Sequence, residues 1–179
     1  MVTSRGCFIR GMAVLSLFAA VQCGAADKAP PALGQRGDMT DSGRHLVGKV
    51  TKDQLFETCP AWRESASKYV AKPDIIEKLH RVDKPVDIVL FFGTWCKDSR
   101  SEVPKFLSIL DAADNRNFVL DMHAVDRTKR DKEGLCDKFR ITRVPTMVFL
   151  RDGKELGRIV EYPKTTVEED FLAIVTGPR

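Results

Sequence analysis

Ile88-Val89-Leu90-Phe91-Phe92-Gly93-Thr94-Trp95-Cys96-Lys97-Asp98-Ser99 decides the fold. The run from Val86 to Phe92 is made of strand formers and is polar only at Asp87, which suits a central strand covered on both faces. Cys96 follows at the start of a helix predicted to run to about Ala112. The first amides of a helix are unpaired and its dipole is positive there, so a thiolate is stabilised at that place. A strand therefore hands a reactive sulfur to a helix N-terminus.

Outward from this stretch, further strands are predicted at Phe118–Val125, Thr146–Leu150 and Leu156–Glu161, with Asp152-Gly153 as the hairpin turn between the last two. Helices are predicted from about Glu133 to Phe139 and from Thr166 to about Ile174. Upstream, Thr51 reads as the N-cap of a helix carrying Leu55, Phe56 and Cys59. Pro60 opens a second with Trp62, Ala66, Tyr69 and Val70 at helical spacing, and Pro73 a third with Ile75, Ile76 and Leu79 on one face. Helical crossovers imply parallel early strands and the hairpin an antiparallel final pair. The fold class is α/β, a three-layer α/β/α sandwich with a central mixed sheet and extra N-terminal helices.

These motifs resemble the thioredoxin superfamily over roughly Val82 to Val175. Phe91 to Cys96 looks like the strand leading to its active site, Pro104 like its helix-kinking proline, Arg143-Val144-Pro145-Thr146 like its cis-proline loop, and Asp152-Gly153 like its hairpin. Within the superfamily the chain is similar to exported bacterial thioredoxin-like proteins with a monothiol Cys-x-x-Ser site. The resemblance implies that Cys96 attacks disulfides, that Trp95 covers one side of the sulfur, and that a cis Val144–Pro145 bond sets the Val144 backbone beside it. An extended substrate strand can pair with that backbone by β-augmentation. Three departures stand out. Ser99 replaces the resolving cysteine; it cannot displace a mixed disulfide, but it can donate a hydrogen bond to the Cys96 thiolate. Leu90 stands where thioredoxins hold a buried acid. Glu161 stands where a rim glycine is common, and it either selects basic substrates or is simply a solvated strand end. Lys97 favours the thiolate and Asp98 opposes it.

The chain opens with Arg5, Arg10, an apolar run from Met12 to Val21 and small residues at Gly24, Ala25 and Ala26, the pattern of a secretory signal over residues 1–26. The rival reading is a lipid anchor at Cys23, disfavoured because Gln22 precedes it. Residues 27–50 are rich in Pro, Gly and charge and read as a flexible linker, leaving a domain at 51–179 with a helical extension at 51–81 and a core at 82–175. Export places the protein in the bacterial periplasm or cell envelope. Removal of the signal leaves Cys59, Cys96 and Cys136, an odd number. Cys59 and Cys136 are the two possible resolving thiols, and for each the plainer alternative is a packed cysteine. His45, His80 and His123 are scattered, His123 lies in a strand and reads as a half-buried histidine rather than a ligand, and no Cys/His set has zinc-ligand spacing. No metal, cofactor or nucleic-acid partner is expected; Arg127, Lys129, Arg130 and Lys132 are interspersed with acids and read as a solvated loop. The expected partners are protein thiols and disulfides or low-molecular-weight thiols. The leading function is monothiol thiol–disulfide exchange through Cys96 in envelope redox homeostasis. The alternative is a non-catalytic peptide-binding or chaperone-like module that uses the proline groove.

Overall fold

The computed structural model describes residues 45–129, 131 and 133–177. The predicted signal, Cys23, most of the linker, and Arg130 and Lys132 lie outside the described residues. The elements in chain order are β1 (Gly48–Lys49), α1 (Lys52–Thr58), α2 (Pro60–Lys68), α3 (Pro73–His80), β2 (Val86–Phe92), α4 (Lys97–Ala113), β3 (Phe118–Ala124), α5 (Leu135–Lys138), β4 (Thr146–Arg151), β5 (Lys154–Val160) and α6 (Val167–Thr176).

The five strands form one mixed sheet in the order β1-β3-β2-β4-β5. β2 runs parallel to β3 and antiparallel to β4, and β4 and β5 form the antiparallel hairpin. Strand periodicity divides β2 between two apolar clusters. Val86, Ile88, Leu90 and Phe92 face a large cluster filled by α1, α2, α3, α4 and α6. Val89 and Phe91 face a smaller one with Val125, Cys136, Ile141, Val144 and Val148. The sheet is thus covered on both faces, unevenly, with α5 the only helix of the smaller cluster among the described residues. In the large cluster Phe171 stacks on Phe149 at 4.9 Å between ring centroids and meets Phe106 at 5.7 Å.

The predicted N-cap of α1 is present as a reciprocal capping box, in which Thr51 Oγ1 accepts from the Gln54 amide and Gln54 Oε1 accepts from the Thr51 amide. Pro60 and Pro73 each open a helix, where a missing N–H is harmless.

Four details differ from the sequence reading. Residues 45–50 are not a loose linker: Gly48 and Lys49 pair antiparallel with Ala124 and His123, and Leu46 and Val50 are buried. Their apolar pattern is too short for periodicity to reveal. The helix predicted from about Glu133 is a single turn, because Gly134 sits at φ 68° and Arg140 at φ 53°, both outside helical geometry. Val70 does not share the buried face of α2, which stops at Lys68, and is 86% exposed. His123, read as half-buried, is fully buried; its ring stacks on Phe91 at 5.6 Å and its Nε2 lies 3.1 Å from Asp121 Oδ2.

Candidate functional site

Cys96 is the N-cap of α4. Its amide donates to Gly93 O at 2.9 Å, and its carbonyl accepts the first helical bond, from Arg100, at 3.1 Å. The half-buried Sγ therefore stands at the positive end of a 17-residue helix. Opposite it, the Val144–Pro145 peptide bond is cis, and Cys96 Sγ donates to Val144 O at 3.2 Å. The sulfur and the backbone edge beside Pro145 are in contact.

Trp95 flanks the sulfur. Its Nε1 donates to Val125 O at 2.8 Å, and the Arg127 guanidinium lies 5.1 Å from its ring centroid. Gly93 makes this seat possible: a Cβ there would lie 2.6 Å from two indole atoms. Thr94, between them, is buried; its Oγ1 accepts from the Leu46 amide at 3.2 Å and bonds to His45 Nδ1 at 3.2 Å. The segment leading into β1 is thus fastened to the loop that carries the thiol.

Ser99 is fully buried, and its hydroxyl accepts from the Gly93 amide at 3.2 Å. It does not bond to Cys96, contrary to the expected hydrogen bond to the thiolate, because the hydroxyl is turned back toward the strand exit. Leu90 is fully buried in the large cluster, level with Met122 and Met147 on the adjacent strands.

Glu161 stands at the rim, in the left-handed region at φ 60° that favours glycine. Its amide donates to Pro145 O at 2.7 Å, and its carboxylate pairs with Arg143 at 2.8 Å. A partnered carboxylate is a poor selector of basic substrates, so that reading of Glu161 is not supported by its contacts. The next residue, Tyr162, is one that the sequence reading passed over. It is 57% exposed, and its hydroxyl donates to Asp98 Oδ1. The Asp98 carboxylate keeps that hydroxyl protonated up to about 12. The pair ties the end of β5 to the first turn of α4 beside Cys96. An exposed aromatic next to Glu161 was the available signal, but no spacing rule links positions this far apart.

Cys59, Cys96 and Cys136 are all free thiols. Cys136 lies in the same small cluster that Cys96 packs against, and it is 3% exposed. Burial, followed by the nearby Asp131 carboxylate, pushes its thiol up to about 12. Asp131 is held there because it accepts from the Leu135 and Cys136 amides at 2.9 and 3.1 Å. Cys59 joins α1 to α2 and packs against the large cluster, on the other face of the sheet. Burial raises its pKa, and the Arg100 cation partly offsets this. Among the described residues no group of three or more His, Cys, Asp and Glu side chains could hold a metal ion, and no helix is long and apolar enough to cross a membrane.

Residues 67–173 match the thioredoxin family. The chain is 27% identical over 96 residues to a thioredoxin of Echinococcus granulosus, covering 54% of this chain and 83% of that protein. It is 25% identical over 119 residues to protein disulfide-isomerase A5 of Bos taurus, covering 65% of this chain but only 22% of that longer protein. Among solved structures, thioredoxin-2 of the malaria parasite superposes with a TM-score of 0.40 at 23% identity, over 51% of this chain and 81% of that one.

Proposed function

The chain belongs to the thioredoxin family, and from that premise we propose that it exchanges thiols with disulfides through Cys96 alone. The observation that carries this reading is Cys96 at the head of α4, touching the Val144 carbonyl beside Pro145, with a serine where a second thiol would stand. The Cys96 thiolate attacks one sulfur of a substrate disulfide. That S–S bond breaks, a Cys96–substrate disulfide forms, and the departing thiolate takes up a proton. A second, external thiolate, or the substrate's own second cysteine, then attacks the mixed disulfide and regenerates Cys96. The net result is rearrangement or transfer of a disulfide, with no change in the protein's own oxidation state.

The other two thiols are poor resolvers. Cys136 stays protonated up to about 12 and is buried. Cys59 packs against the large cluster, and burial raises its thiol pKa. The N-terminal pattern of Arg5, Arg10 and the apolar run from Met12 to Val21 supports export after loss of residues 1–26, with the folded domain carried on the segment that follows, in the bacterial cell envelope.

The test is exchange with glutathione disulfide, followed by intact mass and peptide mapping. Cys96→Ser is expected to abolish the adduct and the turnover, while Cys136→Ser and Cys59→Ser retain both. Equal loss from Cys96→Ser and either of the other changes would replace the monothiol reading with a dithiol one.

A further inference from the structure

The three residues between β2 and the N-cap of α4 are each pinned to a different part of the chain. Gly93, Thr94, Trp95 and Cys96 form a turn closed by the Cys96 amide, which donates to Gly93 O at 2.9 Å. The Gly93 amide donates to Ser99 Oγ at 3.2 Å, and Trp95 Nε1 donates to Val125 O at 2.8 Å. The third pin is Thr94. Its side chain is buried; its Oγ1 accepts from the Leu46 amide at 3.2 Å and is hydrogen-bonded to His45 Nδ1 at 3.2 Å. The first two pins lie within residues 67–173, which match the thioredoxin family, and the third comes from a segment before them.

That segment is itself anchored. Leu46 and Val50 are buried in the large cluster. Gly48 and Lys49 pair with Ala124 and His123, and the Val50 amide donates to Met122 O at 2.9 Å. Val125, which takes the Trp95 indole, is the residue after β3. Two of the three pins therefore run to the end of β3, one directly and one through β1. A valine at position 94 would fill nearly the same space without the cost of burying a hydroxyl, so what the threonine adds is its bond to the segment at 45 and 46.

We propose that Thr94, with the strap formed by His45 and Leu46, is a positioning residue for exchange at Cys96: it holds the turn so that the sulfur stays at the head of α4 and against Val144 O. This inference rests on the exchange reading above. Thr94 acts through the turn and takes no part in the bonds exchanged. A reacting group has to be held to within about half an ångström, and a misplacement of about 1 Å can cost up to a hundredfold in rate. Releasing one pin of three should slow the attack while the apolar core keeps the fold in place.

The experiment compares Thr94→Val, Thr94→Ser and His45→Ala with the unaltered full chain. Adduct formation at Cys96 with hydroxyethyl disulfide is timed by mass and peptide map. The rate is followed with pH to its plateau, where the thiol is fully ionised and its acidity no longer matters, and each variant's urea midpoint is taken alongside. In a Trp62→Phe background Trp95 is the one remaining indole, and its fluorescence reports the turn. Thr94→Val is expected to lower the plateau rate about fivefold or more and to shift the Trp95 emission. Thr94→Ser keeps the acceptor and should stay within about twofold of the parent. His45→Ala should slow the reaction by about twofold, and should add nothing on top of Thr94→Val because both act on one contact. A Thr94→Val plateau within about twofold of the parent, the same loss in Thr94→Ser, an unmoved Trp95 emission, or full additivity with His45→Ala overturns the inference and leaves exchange at Cys96 standing. Should Thr94→Val not fold, His45→Ala decides, and a rate equal to the parent's overturns the inference. Failure of hydroxyethyl disulfide to label Cys96 in the unaltered protein overturns the exchange reading, and this inference falls with it.

Discussion

Cys136 gives the sharpest test of why one cysteine reacts and another does not. With its thiol held up to about 12, the thiolate fraction at about pH 7.5 is roughly 3 in 100,000. An ordinary thiol near 8.5 is ionised to about one part in ten at that pH. The deficit is about 3,000-fold. A more basic thiolate is intrinsically a better nucleophile, by about half a logarithm per pKa unit, and this returns roughly 50-fold. Chemistry alone therefore slows Cys136 by about 60-fold. Its 3% exposure adds the cost of opening the cluster formed with Val125, Ile141 and Val144. The total should exceed about a hundredfold relative to a small free thiol. The assay is timed reaction with excess dithiodipyridine, a quench, and peptide mapping of each cysteine, natively and in strong denaturant. In denaturant all three cysteines should react at comparable rates. Native modification of Cys136 within about tenfold of a free thiol would refute the reasoning, and with it the exclusion of Cys136 as a resolving partner.

Four other expectations follow from the packing and the cap. The same raised pKa makes Cys136 a source of alkaline instability: its contribution is complete below about 8.5, the value for an unfolded thiol, and is lost as pH climbs toward about 12, so urea midpoints should fall less from pH 8 to pH 10 in Cys136→Ala than in the parent. Trp62, 3% exposed and 6.0 Å from Phe92 between ring centroids, should cost about 3–5 kcal/mol when cut to alanine, measured by urea unfolding. Gly93→Ala would drive a methyl group to within 2.6 Å of the Trp95 ring, so the indole must leave its bond to Val125 O, and a shift in tryptophan fluorescence should accompany slower adduct formation at Cys96. Thr51→Ala removes one half of the capping box on α1 and should lower stability by about 1 kcal/mol, read from the thermal midpoint.

Much of this architecture can be read from local pattern. Val86–Phe92 matches its strand residue for residue because a continuous apolar run of strand formers, buried on both faces, is long enough to be unambiguous. Thr51, Pro60 and Pro73 announce their helices because caps and first-turn prolines act within four residues. What escaped was non-local. Gly48 and Lys49 become a strand only because Ala124 and His123 offer them an edge, which no property of two residues reveals. Tyr162 reaches Asp98 across 64 positions, and Thr94 holds His45 and Leu46 across 49 and 48. Glu161 reads from sequence as a rim residue with a free charge, because no local pattern pairs it with Arg143 eighteen positions earlier.

Ser99 and Leu90 explain each other once their surroundings are known. Leu90 is enclosed in the large apolar cluster between Met122 and Met147 in register. A buried charge there would be costly, and its use in deprotonating a second thiol disappears when that thiol is absent. Ser99 in turn is more than a lost cysteine. Its hydroxyl takes the Gly93 amide at the point where β2 ends, so the strand exit and the first turn of α4 are bonded to each other across the Trp95–Cys96 loop. A thiol at position 99 would be a weaker acceptor for that amide, and it would be as buried as the serine now is. The hydrogen bond that fastens the loop therefore comes from the residue whose thiol form would have resolved it. The geometry holds Cys96 against Val144 O, and on the monothiol reading proposed above the second half of the exchange falls to a thiol from outside the chain.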